Sequence, residues 1–206
     1  MFEAPNLETV KNHNKEFADA LCCIVFAPKF SKVAQEGIIP RIVYLDSRSD
    51  KYIHFYCAGY GAWWNEGKAS DMEEIGTVTQ QGQRVPWFFS QKLYSNFVDE
   101  LEEDSSWKYQ GDSELLIFSP ELEYSQCLIF NISEMLKISA IDSVGQLFED
   151  LIRFAKSSND INKFDGSQKW KMIFRSLNEA VTKATFGIGE KYQSFEIQNI
   201  HKDYRS

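Results

Sequence analysis

Residues 61–70 read Gly-Ala-Trp-Trp-Asn-Glu-Gly-Lys-Ala-Ser, a glycine-bearing stretch that follows an apolar run and ends near a lysine and a hydroxyl. A phosphate-cradling loop needs four residues between its glycines, so that successive N–H groups converge on the phosphate, and a hydroxyl directly after the lysine. Here five residues separate Gly61 from Gly67, two of them are tryptophan, and Ser70 stands one place late. The geometry argues against a phosphate loop. The segment reads instead as an aromatic recognition surface for a protein partner or small ligand, carried by Tyr60, Trp63, Trp64, Lys68, Arg84 and Trp87. Aromatic side chains supply large contact areas at small entropic cost, which is why they dominate recognition hot spots. The opposing reading folds the tryptophans inward, as a plug at the end of a sheet.

Acidic residues are the second candidates. Asp112 and Glu114 stand at the entry of one apolar run, and Asn131 lies in the next. A metal-dependent nuclease would need an acid-x-Lys on that second strand, where Ile129-Phe130-Asn131-Ile132-Ser133 offers neither acid nor lysine. An enzyme site assembled from distant residues, hydrolase- or nuclease-like, would draw first on Asp46, His54, Glu66, Lys68 and Asp112. The three histidines are His13, His54 and His201. His54 and Cys57 point to opposite faces of a regular strand and form no dyad, so His54 reads as a buried, hydrogen-bonded structural residue. The four cysteines, Cys22, Cys23, Cys57 and Cys127, contain no C-x-x-C pair and read as small buried hydrophobes in a reducing compartment. No metal site and no cofactor is expected.

The elements that must position these residues follow from periodicity. Residues 7–20 predict a helix after Pro5 and Asn6, and residues 21–27 (LCCIVFA) a strand buried on both faces. A helical turn or two over residues 30–36 is closed by Gly37. Residues 38–46 (IIPRIVYLD) and 51–59 (KYIHFYCAG) predict an antiparallel hairpin, with Pro40 early or at an edge. Residues 60–83 read as a long irregular region. A helix over residues 90–103, capped by Ser90, ends in the acidic run 99–104, which opposes the helix dipole and predicts fraying. Residues 114–119 and 126–132 predict a second hairpin. Ser143 and Gln146 form a capping box ahead of a helix, and residues 168–185 predict another.

With 206 residues, 43% hydrophobic and 15% aromatic, the chain has the material for a substantial core. One globular domain over residues 1–206 is expected, of α/β class and α+β type. Its sheet is mixed or largely antiparallel, built from two hairpins and an N-terminal strand and covered by four or more helices. Residues 1–152 carry twelve Lys and Arg against twenty-four Asp and Glu, and the basic residues 153–206 return the net charge to −8. Such acidity disfavours duplex nucleic acid. No apolar run is long enough to span a membrane, and the first fifteen residues lack a signal peptide's apolar core. A cytoplasmic binding or regulatory protein is the leading reading, with the assembled enzyme site and a structural subunit of an oligomer as alternatives.

Overall fold

The computed structural model of the chain describes residues 2–16, 20–48, 52–62, 69–80, 82–118, 127–157 and 195–198. The chain is α+β, with one mixed six-stranded sheet and one antiparallel three-stranded sheet. Strand β1 (Phe2–Ala4) leads into helix α1 (Leu7–Lys15) and then β2 (Leu21–Phe26), whose six residues are all buried. A helical segment from Val33 to Arg41 runs into α2 (Ile42–Arg48), and the chain returns as β3 (Ile53–Ala58). Strands β4 (Tyr60–Ala62), β5 (Glu73–Gln80) and β6 (Gln83–Phe89) build the second sheet. Helix α3 (Gln91–Asp104), β7 (Glu114–Phe118), β8 (Cys127–Asn131), α4 (Ile132–Lys137), α5 (Val144–Ser157) and β9 (Phe195–Gln198) follow.

The large sheet has the order β1-β3-β2-β7-β8-β9. β1 and β2 both run parallel to β3, whereas β7, β8 and β9 are antiparallel to their neighbours. Both faces are covered. Phe26 packs on Tyr94 and Phe97 of α3, and Phe55, on the opposite face, packs on Phe148 of α5. The buried hydrophobic residues of both sheets belong to one cluster.

The expected hairpin over residues 38–46 and 51–59 is absent. Its first arm is helical. Ile38, Ile42 and Leu45 are buried at a spacing of three to four, while Val43 and Tyr44 face outward, which is the period of a helix and not of a strand. Pro40 sits where the π-helical turn passes into a 3-10 turn, a junction at which the helical hydrogen-bond pattern changes. Because 38–48 is helical, β3 returns parallel to β2 as a βαβ unit. Gly37 does not close a helix; it lies inside a π-helical turn, where a Cβ would come within 2.5 Å of Val144 on α5. Its missing side chain is what lets these two helices meet.

Residues 60–83 are not irregular throughout, since β4, β5 and the start of β6 occupy half of them. The hairpin over 114–118 and 127–131 is present as expected, in register from Glu114 opposite Asn131 to Ile117 opposite Leu128. Helix α3 is capped by Ser90, whose Oγ accepts from the Leu93 N–H at 3.1 Å. It continues through Asp104, and its acidic residues are engaged: Glu100 accepts the Leu7 N–H that opens α1, and Asp104 pairs with Lys11. Those carboxylates meet the donor end and a lysine of a neighbouring helix, which offsets their poor position on their own helix. At α5, Ser143 accepts from the Gln146 N–H, while the Gln146 side chain bonds the Asp142 N–H, one residue earlier than in a regular capping box. Helix α1 ends at Lys15, short of residue 20. The helix expected over residues 168–185 lies outside the described residues.

Candidate functional site

The second sheet begins where β3 leaves the first. Gly59 adopts φ +76, a left-handed conformation natural to glycine, and a Cβ there would come within 2.9 Å of the Tyr94 backbone nitrogen. Gly59 thereby turns the chain from β3 into β4 directly against the start of α3. Its N–H donates to the Ala4 carbonyl and its carbonyl accepts from Ser90, tying β1, β3 and α3 at one point. Asp71 reinforces the junction by accepting from the Ser90 hydroxyl at 2.6 Å and the Lys92 N–H at 2.8 Å.

Along β6 the side chains alternate. Val85, Trp87 and Phe89 are buried, whereas Arg84 is exposed and Pro86 and Phe88 are half-buried. Arg84 faces Thr79, Pro86 faces Thr77, and Phe88 faces Gly61 and Glu74 across the sheet. The outer face is therefore a mixed polar and apolar surface with a cation at the hairpin end. On the inner face Tyr60 stacks on Phe89 at 4.8 Å, and its hydroxyl donates to the Ala27 carbonyl at 2.8 Å.

Of the residues expected to form a recognition surface, Tyr60 and Trp87 are 0% and 1% exposed. They plug the sheet end and offer no contact area. Arg84 is exposed on the outer face, and Trp63, Trp64 and Lys68 lie outside the described residues. Trp87 keeps one feature of a binding residue: its buried indole N–H has no hydrogen-bond partner among the described residues. Its neighbours across the sheet are Ala62 and Gly76, and a Cβ built at Gly76 would meet no heavy atom within 4 Å.

Of the enzyme candidates, His54 and Asp112 are not brought together. His54 pairs with Cys22 at the start of β2, while Glu114, two residues after Asp112, pairs with Phe26 at its far end. At a strand rise of roughly 3.3 Å per residue, about 13 Å or more separates them. Asp46 lies in α2 and not at a strand end, and Glu66 and Lys68 lie outside the described residues. Glu114 is buried and accepts from the Trp107 indole N–H at 3.1 Å and the Gln110 N–H at 3.3 Å. Burial pushes its carboxyl above the ordinary glutamate range, the two donors pulling the other way. Asn131 caps α4 by accepting the Glu134 N–H. No group of three potential metal ligands occurs among the described residues.

His54 is buried, as expected, and belongs to a cluster that sequence spacing does not reveal. The Tyr56 hydroxyl lies 2.5 Å from Nδ1 of His13, 2.6 Å from Oδ1 of Asn14 and 3.5 Å from Nδ1 of His54. The Phe2 ring packs on both imidazoles, at 4.3 and 4.8 Å. The parallel pairing of β1 with β3 and the return of α1 over that margin bring together residues some forty positions apart. All four cysteines are buried. Burial pushes the thiols of Cys22 and Cys57 up to about 12, well away from reactivity.

Arg41 and Ser143 line two grooves between the Val33–Arg41 segment, α2 and the start of α5. Arg41 donates to the Glu36 carbonyl, so its charge is partly engaged within its own segment. No helix among the described residues is long and apolar enough to cross a membrane. No family model, curated protein sequence or solved structure matches the chain.

Proposed function

We propose that this chain is a cytoplasmic binding or regulatory module that recognises a protein partner through residues 60–87. The observation that carries the reading is the Trp87 indole N–H, buried without an acceptor among the described residues, beside the open position at Gly76. Buried donors in folded proteins are almost always paired, so an orphan on the central strand of the small sheet calls for an acceptor brought by something else. The other, outer face of β6 also offers contact groups: Arg84 is exposed, Pro86 and Phe88 are half-buried, and the connection from β4 to β5 holds Trp63 and Trp64. Aromatic residues and arginine are the types that concentrate binding energy at interfaces.

The test is capture of partners from the native host by the wild-type chain, by Arg84→Glu and by Trp63→Ala/Trp64→Ala, each compared by melting temperature. The expected outcome is a partner retained by the wild type and lost by both variants, with melting temperatures within a few degrees. Equal retention by all three would move the recognition surface elsewhere. A collapse of the double variant's melting temperature would make those tryptophans core residues.

A further inference from the structure

The small sheet ends on β5, which among the described residues pairs with β6 alone, so its other edge carries no strand. The phase of the ladder tells which backbone groups stand on that edge. The Ser90 N–H donates to the Gly59 carbonyl, on the β4 side. Backbone groups alternate between the two neighbours along a strand, so those of Pro86, Phe88 and Ser90 turn toward β4, and those of Val85 and Trp87 toward β5. Pro86, which has no N–H, accordingly stands opposite Thr77 without breaking a bond between β5 and β6. Gly76 and Val78 then bond β6, and Thr77 and Thr79 aim their N–H and carbonyl groups at the free edge. No described residue hydrogen-bonds those groups, helix α2 included, although it lies near β5.

Natural sheet edges are blunted by proline, lysine or a bulge. β5 reads EEIGTVTQ, with neither proline nor lysine, and its one irregularity falls at Ile75, before the free stretch. Gly76 marks the same place from the inner face. Its φ is not positive, and a Cβ there would meet no heavy atom within 4 Å, so neither its own backbone nor its described neighbours require a glycine. It stands between Trp87 and the free edge, and the Trp87 indole N–H, in a residue 1% exposed, lacks an acceptor among the described residues. A glycine within a strand suits the close approach of another backbone. We propose that an extended, basic segment of a protein partner adds to β5 as a fourth strand, bonding Thr77 and Thr79 and placing a side-chain acceptor opposite Gly76, within reach of Trp87. The inference rests on reading residues 60–87 as the partner-facing region. Adjacent strands lie roughly 4.8 Å apart, so a side chain on the added strand spans the gap that Gly76 leaves. The basic character answers Glu73 and Glu74, both exposed at the start of β5; Glu73 pairs with Lys29, while Glu74 accepts only from the Thr77 hydroxyl among the described residues. A second copy of the chain would instead bring its own net charge of −8 to the same edge.

The probe is a synthetic peptide, Thr-Thr-Val-Thr-Asn-Val-Lys-Lys, laid antiparallel to β5 so that its Asn falls opposite Gly76 and its lysines near Glu73 and Glu74. Titrated into the isotope-labelled full chain, it should shift the Thr77 and Thr79 amide resonances and the Trp87 indole resonance along one saturation curve. The same peptide with Val in place of Asn should bind about fivefold more weakly and leave the indole resonance in place. Thr79→Pro removes one edge donor and sets a ring in the path of the added strand while keeping the bonds to β6, so it should abolish binding with little change in melting temperature. The wild-type titration stands without that variant. Shifts absent from Thr77, Thr79 or the indole would overturn the proposal. So would slow amide exchange at both threonines in the free chain, which would mean that the chain covers this edge itself. Dimers in sedimentation that Thr79→Pro dissolves would give the edge to a second copy and overturn it too. A host partner lost by Arg84→Glu yet kept by Thr79→Pro would overturn strand addition while leaving residues 60–87 as the recognition region.

Discussion

Glu114 shows how one side chain can look catalytic in sequence and serve the core in three dimensions. Its carboxylate is spent on the Trp107 indole and the Gln110 N–H, under a layer of rings formed by Phe26, Trp107 and Tyr109. Burial raises its pKa, so the folded state favours the protonated form. The contribution is then complete below the ordinary value of 4.5 and lost as pH rises through the raised, folded value. Urea unfolding from about pH 4 to about pH 8 should show this loss in the wild type and not in Glu114→Gln. The variant should be less stable by about 1–2 kcal/mol at the acid end, where an amide nitrogen faces one of the donors. The gap should narrow as pH rises. A constant gap would mean that Glu114 titrates as it does in the unfolded chain.

At the scale of the element, the junction between the sheets depends on a residue without a side chain. Gly59 combines a left-handed backbone with a close approach to Tyr94, where the atoms in the way include backbone nitrogen and Cα. Gly82, in the turn between β5 and β6, has φ +80 but open space around its missing Cβ. Gly82→Ala should therefore cost about 1–2 kcal/mol, the left-handed penalty alone. Gly59→Ala adds a collision that backbone cannot relieve and should cost about 2–5 kcal/mol. Equal losses in chemical denaturation would show that the approach of α3 to β4 is looser than the structure has it.

For the whole molecule, the net charge of −8 is unevenly held, with the acidic excess confined to residues 1–152. Within the described residues much of it is engaged locally, as in Glu100 with α1, Glu102 with Lys108 and Glu149 with Arg48. What acts at long range is the summed field, which favours a basic partner in the recognition reading. Association with such a partner should slow markedly as salt rises from about 50 to about 300 mM, with dissociation little changed, because screening removes steering before it weakens contacts. Stopped-flow rates that ignore salt would point to a partner chosen by shape and apolar contact instead.

The sequence by itself determined the α+β class, the doubly buried β2, the hairpin of β7 and β8 and the capped start of α3. In each of these, local signals agreed: continuous apolar residues, Ser90 ahead of an apolar stripe, two β-rich runs around a turn. Residues 38–46 carried two periods at once, because a short β-branched run suits a buried helix face as well as a strand. Only packing of the 33–48 segment, with Gly37 against Val144, decided for the helix and so made β3 parallel to β2. The inward turn of Tyr60 and Trp87 was likewise tertiary. A strand's alternation says which residues share a face, and the bend at Gly59 decides which face meets the core. The cluster of His13, Asn14, His54 and Tyr56 had no sequence signature, since its members meet only when α1 folds back over a parallel strand pair.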